Sequence, residues 1–215
     1  MKIATLDINL ASENLILTNQ RALFWTDKST LIISDIHIGK TAHFRRHGIP
    51  IPHQILEKDL ERLANLISHF KAKTVIVVGD LFHAENNTDI ELFKQWLQSF
   101  KTLKWILVKG NHDWLSKSIL KGLPFEVFTN YVVSPFRFIH DKQQKTTEAF
   151  TISGHIHPGV FIKGKGRQRI KLPCFQVTHN QLILPAFSLF TGLNTRDIPE
   201  NTTCFAFTDE AVFEV

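Results

Sequence analysis

Four short apolar runs, each followed by acidic, amide or imidazole side chains, limit how this 215-residue chain can fold. The runs and the polar residues after them are LIIS with Asp35 and His37, VIVV with Asp80, WILV with Asn111 and His112, and FTIS with His155 and His157. Runs rich in valine, isoleucine and leucine are typical of strands in a covered sheet, and ligands of such sheets gather beyond the strand ends. The sequence therefore predicts that these polar residues converge on one site.

The spacing within two of these groups indicates metal binding. Asp35 and His37 are separated by one residue, as are His155 and His157. In an extended segment residues i and i+2 point the same way, so each pair presents two ligand atoms to one place. Nitrogen and oxygen ligands without thiolate suit manganese, iron or zinc better than a structural zinc knot. We therefore predict two divalent metal ions, with manganese favoured and zinc or iron as alternatives.

The charge of the predicted ligand set favours phosphate chemistry. Asp35 and Asp80 are its only carboxylates, so two divalent ions would keep roughly two positive charges before hydroxide binds. Two metals about 3.5 to 4 Å apart can generate hydroxide and stabilise both the attacking and the leaving oxygen of a displacement at phosphorus. The predicted centre is therefore expected to attract phosphate.

Composition excludes several other classes of protein. Hydrophobic residues make up 43% of the chain and charged residues 21%, which is ordinary globular usage. No apolar run approaches the roughly 18 to 20 residues needed to span a bilayer, and we expect a cytoplasmic protein without a membrane partner. Without a linker or repeat, a single domain over residues 1–215 is predicted. The net charge of +5 suits a polyanionic partner but does not establish one.

The coarse pattern of elements predicts mixed strands and helices. A hairpin is expected over residues 15–18 and 21–25, and apolar residues at three-to-four spacing predict an amphipathic helix over 53–70. A second helix is expected to be capped by Thr88 or Asp89 and to end near Phe100. From residue 126 onward the pattern predicts mostly short strands.

The polar motifs, in their order, resemble those of the calcineurin-like metallophosphoesterases. They are DIH at 35–37, GDLFH at 79–83, GNHD at 110–113, a lone His140 and GHIH at 154–157. Beyond that superfamily, the segments at 44–52, 163–175 and 184–192 resemble the DNA ligase-associated (PdeM) metallophosphoesterases. This resemblance implies an α/β fold of mixed α+β type, a four-layer α-β-β-α sandwich of two facing mixed sheets.

The resemblance also implies a role for each matched residue. One metal would be held by Asp35, His37 and His157, the other by Asn111, His140 and His155, with Asp80 bridging both. His112 matches the position that contacts the scissile phosphate, and Asp113 would orient its ring. His83 matches a position that either contacts the metal ligands without binding the metal itself or contacts the phosphate.

A basic rim beside the metals is a further expectation. It would hold a nucleic-acid backbone and consists of Lys40, Arg45, Arg46, Lys163, Lys165, Arg167 and Arg169. The segment KGKGRQRIK within it is equally well explained as a solvated hairpin tip.

These features together favour a dinuclear metal-dependent phosphodiesterase acting on nucleic acid, a DNA endonuclease in DNA repair. A phosphomonoesterase or a cyclic-nucleotide phosphodiesterase is the enzymatic alternative, because the same metals serve many esters. A nuclease subunit paired with a coiled-coil ATPase is a third alternative, and the non-enzyme alternative is a DNA-binding scaffold of a ligase-associated repair complex. The resemblance also implies functional association with a DNA ligase, a helicase and a second nuclease, and it leaves a homodimer open.

Overall fold

Two mixed β-sheets that face each other form the framework of this chain in the computed structural model. The structure describes residues 2–52, 54–83, 87–141, 149–164, 166, 168–196 and 198–215, with only the backbone described at 114–118. The predicted pair of facing mixed sheets is confirmed. Lys165 and Arg167 of the predicted basic rim lie outside the described residues.

The first sheet runs in chain order from β1 to β7. Its strands are β1 (Thr5–Leu10), β2 (Glu13–Thr18), β3 (Leu23–Trp25), β4 (Thr30–Ile33), β5 (Thr74–Val78), β6 (Lys104–Val108) and β7 (Phe125–Phe128). The first four strands pair antiparallel, and β4 to β7 pair parallel. The predicted hairpin is confirmed as β2 and β3, with Leu17 opposite Leu23.

The α-helices of the described residues all precede β7. They are α1 (Lys40–Arg46), α2 (Gln54–Phe70), α3 (Thr88–Leu97) and α4 (Lys117–Leu120). The apolar face of α2 packs with α3 against one face of the first sheet, as its three-to-four spacing predicted. The cap of α3 differs from the prediction, because Asn87 accepts hydrogen bonds from the backbone N–H groups of Asp89 and Ile90. In the described part of the chain no helix is long and apolar enough to cross a membrane.

The second sheet is built from the C-terminal half of the chain, in the order β15-β14-β12-β13-β10-β9-β8, with β11 paired to β12. Its strands are β8 (Tyr131–Val133), β9 (Phe136–Phe138), β10 (Phe150–Ser153), β11 (Gly159–Lys163), β12 (Arg169–Val177), β13 (Gln181–Ile183), β14 (Thr203–Phe207) and β15 (Val212–Glu214). The predicted scarcity of helices in this half holds for its described residues.

The main core between the sheets is built from alternate residues of their strands. Trp25 of the first sheet meets Phe136 of the second edge to face, with ring centroids 4.8 Å apart. Ile76 and Ile106 point into this core, whereas their neighbours Val75 and Leu107 point to the helices on the other face. Strands buried on both faces explain the continuous apolar runs in the sequence.

The two sheets are joined at the end where these apolar runs stop. The backbone N–H of Phe187, after β13 of the second sheet, donates to the Ser34 carbonyl after β4 of the first sheet, at 2.7 Å. Beside it, Ile38 and Phe82 form an isolated bridge between the loops after β4 and β5. This arrangement brings loops from both sheets together at one end of the molecule.

Candidate metal centre

Loops after five strands place the predicted ligands at this shared end. In the first sheet, the loop after β4 carries Asp35 and His37, the loop after β5 carries Asp80, and a 3-10 helix after β6 begins at Asn111. In the second sheet, His140 follows β9, and the loop after β10 carries His155 and His157. Because β4, β5 and β6 are parallel, their carboxyl ends lie at the same edge.

Five of these residues have a left-handed backbone conformation. The φ angles are 55° at Asp35, 54° at His37, 48° at Asp80, 70° at His155 and 53° at His157. This conformation is uncommon for residues other than glycine, and it clusters at functional sites that the surrounding structure holds in place. The loops therefore turn sharply to aim these side chains inward.

The first cluster contains Asp35, His37 and His157, and each residue offers a ligand atom within 4.8 Å of the others. His157 Nε2 lies 3.1 Å from Asp35 Oδ1 and 3.4 Å from His37 Nε2. Asp35 is fully buried and His37 is 6% exposed, so two of the three ligands are shielded from solvent. These are the residues that the resemblance assigned to one metal.

The second cluster contains Asp80, His140 and His155, also with ligand atoms within 4.8 Å. His140 Nε2 lies 3.2 Å from Asp80 Oδ2. The other ring nitrogen of His140, Nδ1, lies 2.9 Å from the carbonyl oxygen of Val78. A proton on Nδ1 donated to that carbonyl would leave Nε2 free as a ligand, which is the usual arrangement of a metal-binding histidine.

The two clusters lie side by side. His140 Nε2 of the second cluster is 3.9 Å from Asp35 Oδ1 of the first. Asn111 joins the second cluster from its exposed side, with Nδ2 3.5 Å from His155 Nδ1. All seven predicted metal ligands are therefore brought to one place.

Each carboxylate is fixed by one oxygen and presents the other to the histidines. Asp35 Oδ2 accepts a hydrogen bond from the His155 backbone N–H at 3.0 Å and contacts the Ser34 hydroxyl at 2.5 Å. Asp80 Oδ1 accepts from the His112 backbone N–H at 3.0 Å. Ser34 was missed by the sequence analysis, although a polar residue at the end of the apolar run LIIS was a signal for it.

The residues present fit divalent cations. Among the described residues, Asp35 Oδ1 and His140 Nε2 are buried and have no hydrogen-bond partner of acceptable geometry. Buried polar atoms are normally satisfied, and an orphaned carboxylate oxygen beside imidazole nitrogens is costly unless a cation lies between them. A divalent ion in each cluster would satisfy these atoms.

The pKa values of His37 and His140 are shifted in opposite directions by their surroundings. Burial lowers the pKa of His37 to about 3, so its ring is neutral and able to donate a lone pair. Burial also opposes the charge of His140, but the Asp80 and Asp35 carboxylates raise its pKa to about 9. Burial likewise opposes ionisation of Asp35 and Asp80, yet the neighbouring histidines hold the pKa of both carboxyl groups below the ordinary value.

Two of the predicted catalytic residues, His112 and His83, lie at the more open side of these clusters, whereas Asp113 is buried. The His112 side chain is 47% exposed, and its Nε2 is 4.0 Å from Asp80 Oδ2. The His83 ring lies beside the His112 ring, with centroids 4.8 Å apart, and burial lowers the pKa of His83 to about 4. His83 also meets the His37 ring at 5.4 Å. His37 and His112 are also in contact, with ring centroids 5.5 Å apart, so His83 contacts both a predicted metal ligand and the predicted phosphate-contacting histidine in a group of three adjacent rings.

Asp113 connects two of the loops. Its carboxylate accepts hydrogen bonds from the backbone N–H groups of Phe82 at 3.0 Å and Gly110 at 2.8 Å. Burial raises the pKa of Asp113 to about 6 despite these bonds. The predicted orientation of the His112 ring by Asp113 stays a prediction.

The residues of the predicted basic rim on α1 differ in their exposure and in whether they form an ion pair. Lys40 lies near the centre, where burial lowers its pKa while Asp35 and Asp80 favour its charged form. Arg45 is paired with Asp89 of α3 at 2.9 Å, so its charge is partly neutralised within the fold. Arg46 is exposed.

The other described members of the rim lie on the β11–β12 hairpin. Lys163 and Arg169 are exposed and face each other in its register. Lys163 follows His157 by six residues, so at about 3.3 Å per residue the strand carries it up to roughly 20 Å from the metal clusters.

Two facing mixed sheets with paired nitrogen and oxygen clusters at the strand ends define a metal-dependent phosphoesterase. The family model of the calcineurin-like phosphoesterases matches residues 28–184, and the chain belongs to this family. Membership implies a phosphoester hydrolase that uses divalent metals. None of the curated proteins compared with this chain matches it.

Solved structures that match this chain include a nuclease and a phosphoesterase. The Pseudomonas putida nuclease MPE is 26% identical and has a TM-score of 0.84, and the match covers 98% of this chain and 100% of the nuclease. The E. coli phosphoesterase YfcE is 13% identical with a TM-score of 0.42, and the match covers 84% of this chain and 88% of YfcE.

Proposed function

We propose that this protein is a dinuclear metal-dependent phosphodiesterase that cleaves nucleic acid, as a DNA endonuclease in DNA repair. The observation that supports this most strongly is the pair of adjacent clusters, with His140 Nε2 3.9 Å from Asp35 Oδ1. Asp35, His37 and His157 would hold one ion, and His140, His155 and Asn111 the other, with Asp80 between them. The oxygen and nitrogen donors without thiolate suit manganese, zinc or iron, and of these we propose manganese.

When bound, two such ions supply positive charge and lower the pKa of water so that a nucleophile forms at neutral pH. The chain itself supplies the positioning and proton chemistry. His112, half-exposed beside Asp80, would contact the phosphate and protonate the leaving oxygen. His83, with its low pKa, is neutral beside it and can accept or relay a hydrogen bond.

Nucleic acid as the substrate is supported by charge and by similarity. Lys40 provides a positive charge beside the clusters. Lys163 and Arg169 on the hairpin provide two more, at a distance of up to roughly 20 Å from the clusters. That distance corresponds to about six nucleotides of a duplex strand, so one polymer could contact both regions. The similar Pseudomonas putida protein is a nuclease. Membership of the DNA ligase-associated subfamily, partners in repair and a homodimer stay predictions.

A comparison of substrates tests the proposal. We would measure hydrolysis of a chromogenic phosphodiester, a chromogenic phosphomonoester, a cyclic nucleotide and supercoiled plasmid, with manganese, zinc, magnesium or chelator. The proposal predicts metal-dependent cleavage of the diester and the plasmid. Cleavage of only the monoester or the cyclic nucleotide would contradict a nuclease. Plasmid binding without cleavage of any ester, by protein with both ions bound, would instead indicate a scaffold.

A further inference from the structure

A buried ion pair on helix α2 lies outside the candidate metal centre but is connected to it. Asp59 and Arg62 are 2% and 6% exposed, and Asp59 Oδ1 lies 3.0 Å from Arg62 Nη2. Burial raises the pKa of Asp59 and lowers that of Arg62, so the interior disfavours the charge on both groups. Apolar residues of similar volume are often at least as stabilising as such a pair, which points to a role other than stability.

The ion pair holds a loop that follows strand β13. Arg62 Nη2 donates a hydrogen bond to the carbonyl oxygen of Phe187, and its guanidinium carbon lies 4.2 Å from the centroid of the Phe187 ring. Asp59 Oδ1 accepts a hydrogen bond from the Leu189 backbone N–H at 3.3 Å. The cation and the anion of the pair therefore bind the carbonyl and amide sides of the same short segment, residues 187–189.

A second arginine holds the same loop. Arg21, at the turn between β2 and β3, donates from Nη1 to the carbonyl oxygens of Ala186 at 3.0 Å and Ser188 at 3.3 Å. Burial and, to a smaller extent, the charge of Arg62 lower the pKa of Arg21 to about 10, against the opposing effect of Asp59. Two arginines thus bind three successive carbonyls, at residues 186–188.

The amides of this loop point the other way and bind the backbone of a predicted metal ligand. The Phe187 N–H donates to the Ser34 carbonyl at 2.7 Å, and the Ser188 N–H donates to the Asp35 carbonyl at 3.2 Å. Asp35 is one of the residues with left-handed backbone, at φ 55°. The loop therefore fixes the peptide groups on both sides of an uncommon conformation.

We propose that Asp59, Arg62 and Arg21 are positioning residues for the metal centre. The two arginines fix the carbonyls of residues 186–188, and Asp59 fixes the Leu189 amide. The amides of residues 187 and 188 then hold Asp35 in the conformation that aims Oδ1 at His37 and His157. The inference rests on the proposed function in one respect, the binding of an ion by the Asp35 cluster.

The test replaces the pair by apolar residues of similar size, as Asp59→Leu together with Arg62→Met. Because this change removes both charges at once, it leaves no unpaired charge buried. The Phe187 carbonyl and the Leu189 N–H lose these partners, so the melting temperature should fall, but the protein should still fold. Manganese affinity, measured by calorimetry on chelator-treated protein, should fall by about 10- to 100-fold for one of two ions, as for other residues that orient metal ligands. Amide hydrogen exchange at Phe187 and Ser188 should become faster.

A surface ion pair of the same spacing provides the control. Glu91 and Lys94 on α3 are 2.7 Å apart and also separated by three residues. The variant Glu91→Gln with Lys94→Met should leave manganese affinity and the exchange of Phe187 and Ser188 unchanged.

A folded Asp59→Leu/Arg62→Met variant with wild-type manganese affinity and wild-type amide exchange would overturn the inference. If this variant fails to fold, Arg21→Gln is the substitute test, because Arg21 lies nearer the surface. It should lower manganese affinity and speed the amide exchange of Phe187 and Ser188, both by less than the double variant. If the wild-type protein binds no second ion, the proposed function fails, while the exchange of Phe187 and Ser188 still decides the positioning role.

Discussion

At the scale of single residues, the sequence predicted which side chains meet but not how the backbone presents them. The prediction treated Asp35 with His37, and His155 with His157, as alternate residues of extended segments. In the structure all four have positive φ, so the side chains converge through left-handed turns. Single-sequence patterns do not predict this conformation in residues other than glycine, because the cost is offset by contacts distant in sequence.

Glycine at position 110 is expected to be essential for the metal centre. A Cβ atom at this position would collide with the Asp80 backbone nitrogen and Oδ1. Gly110→Ala should therefore displace Asp80 and lower the number of manganese ions bound per chain, measured by elemental analysis after gel filtration. Gly122→Ala is the matched control, because a Cβ there has no described neighbour within 4 Å. Full metal content in folded Gly110→Ala would show that the loop can move.

His112 is expected to act on the reacting phosphate and not on metal binding. Removing a general acid costs typically 10²- to 10⁴-fold in rate, so His112→Ala should lower kcat for a chromogenic phosphodiester by about that factor while metal content stays the same. The exposed His69 on α2 supplies the control, and His69→Ala should keep full activity. Unchanged kcat in His112→Ala would remove this residue from the mechanism.

At the scale of elements, periodic segments were predictable and short polar ones were not. The apolar spacing that predicted α2 is present in the sequence, and the observed helix spans Gln54–Phe70. Helix α1 (Lys40–Arg46) was missed because its residues KTAHFRR show little apolar periodicity. Its conformation depends on a contact with α3 that sequence alone does not reveal.

Loss of that contact is expected to destabilise α1. Asp89 accepts hydrogen bonds from the Thr41 hydroxyl at 2.6 Å, the Ala42 backbone N–H at 2.9 Å and Arg45 at 2.9 Å. Asp89→Ala should lower the free energy of unfolding by about 1–3 kcal/mol, the cost of leaving such partners unsatisfied, and should speed amide exchange in α1. The exposed Asp7 is the control, and Asp7→Ala should change neither. Unaltered exchange in α1 would mean that other contacts hold it.

At the scale of the whole molecule, the facing sheets were predicted, but the hydrogen bonds that connect the segment after β13 to α2 and to the first sheet were not. The family resemblance implied two facing mixed sheets, which the structure has, and the mixed pattern of strands and helices agreed with it. The buried pair Asp59 and Arg62 lies on the apolar face of α2, where charged residues interrupt the expected pattern. Its partners are carbonyls and amides after β13, and sequence patterns carry no information on such long-range backbone contacts.

The charge on the β11–β12 hairpin is expected to act on polymer binding alone. The double variant Lys163→Ala with Arg169→Ala should weaken DNA binding and make the slope of log affinity against log salt shallower by about one per lost phosphate contact. The rate on a chromogenic phosphodiester should not change, because that ester is too small to reach the hairpin. An equal loss on both substrates would point to misfolding, and unchanged DNA binding would leave the hairpin as ordinary surface.

The most direct test is a titration of chelator-treated protein with manganese, in which bound ions per chain and the rate of phosphodiester hydrolysis are measured together. If the two clusters form one catalytic centre, hydrolysis should appear as the second ion binds, and Asp80→Asn should abolish it at every manganese concentration. A full rate in chelator, or a full rate in Asp80→Asn, would contradict a dinuclear metal-dependent phosphodiesterase.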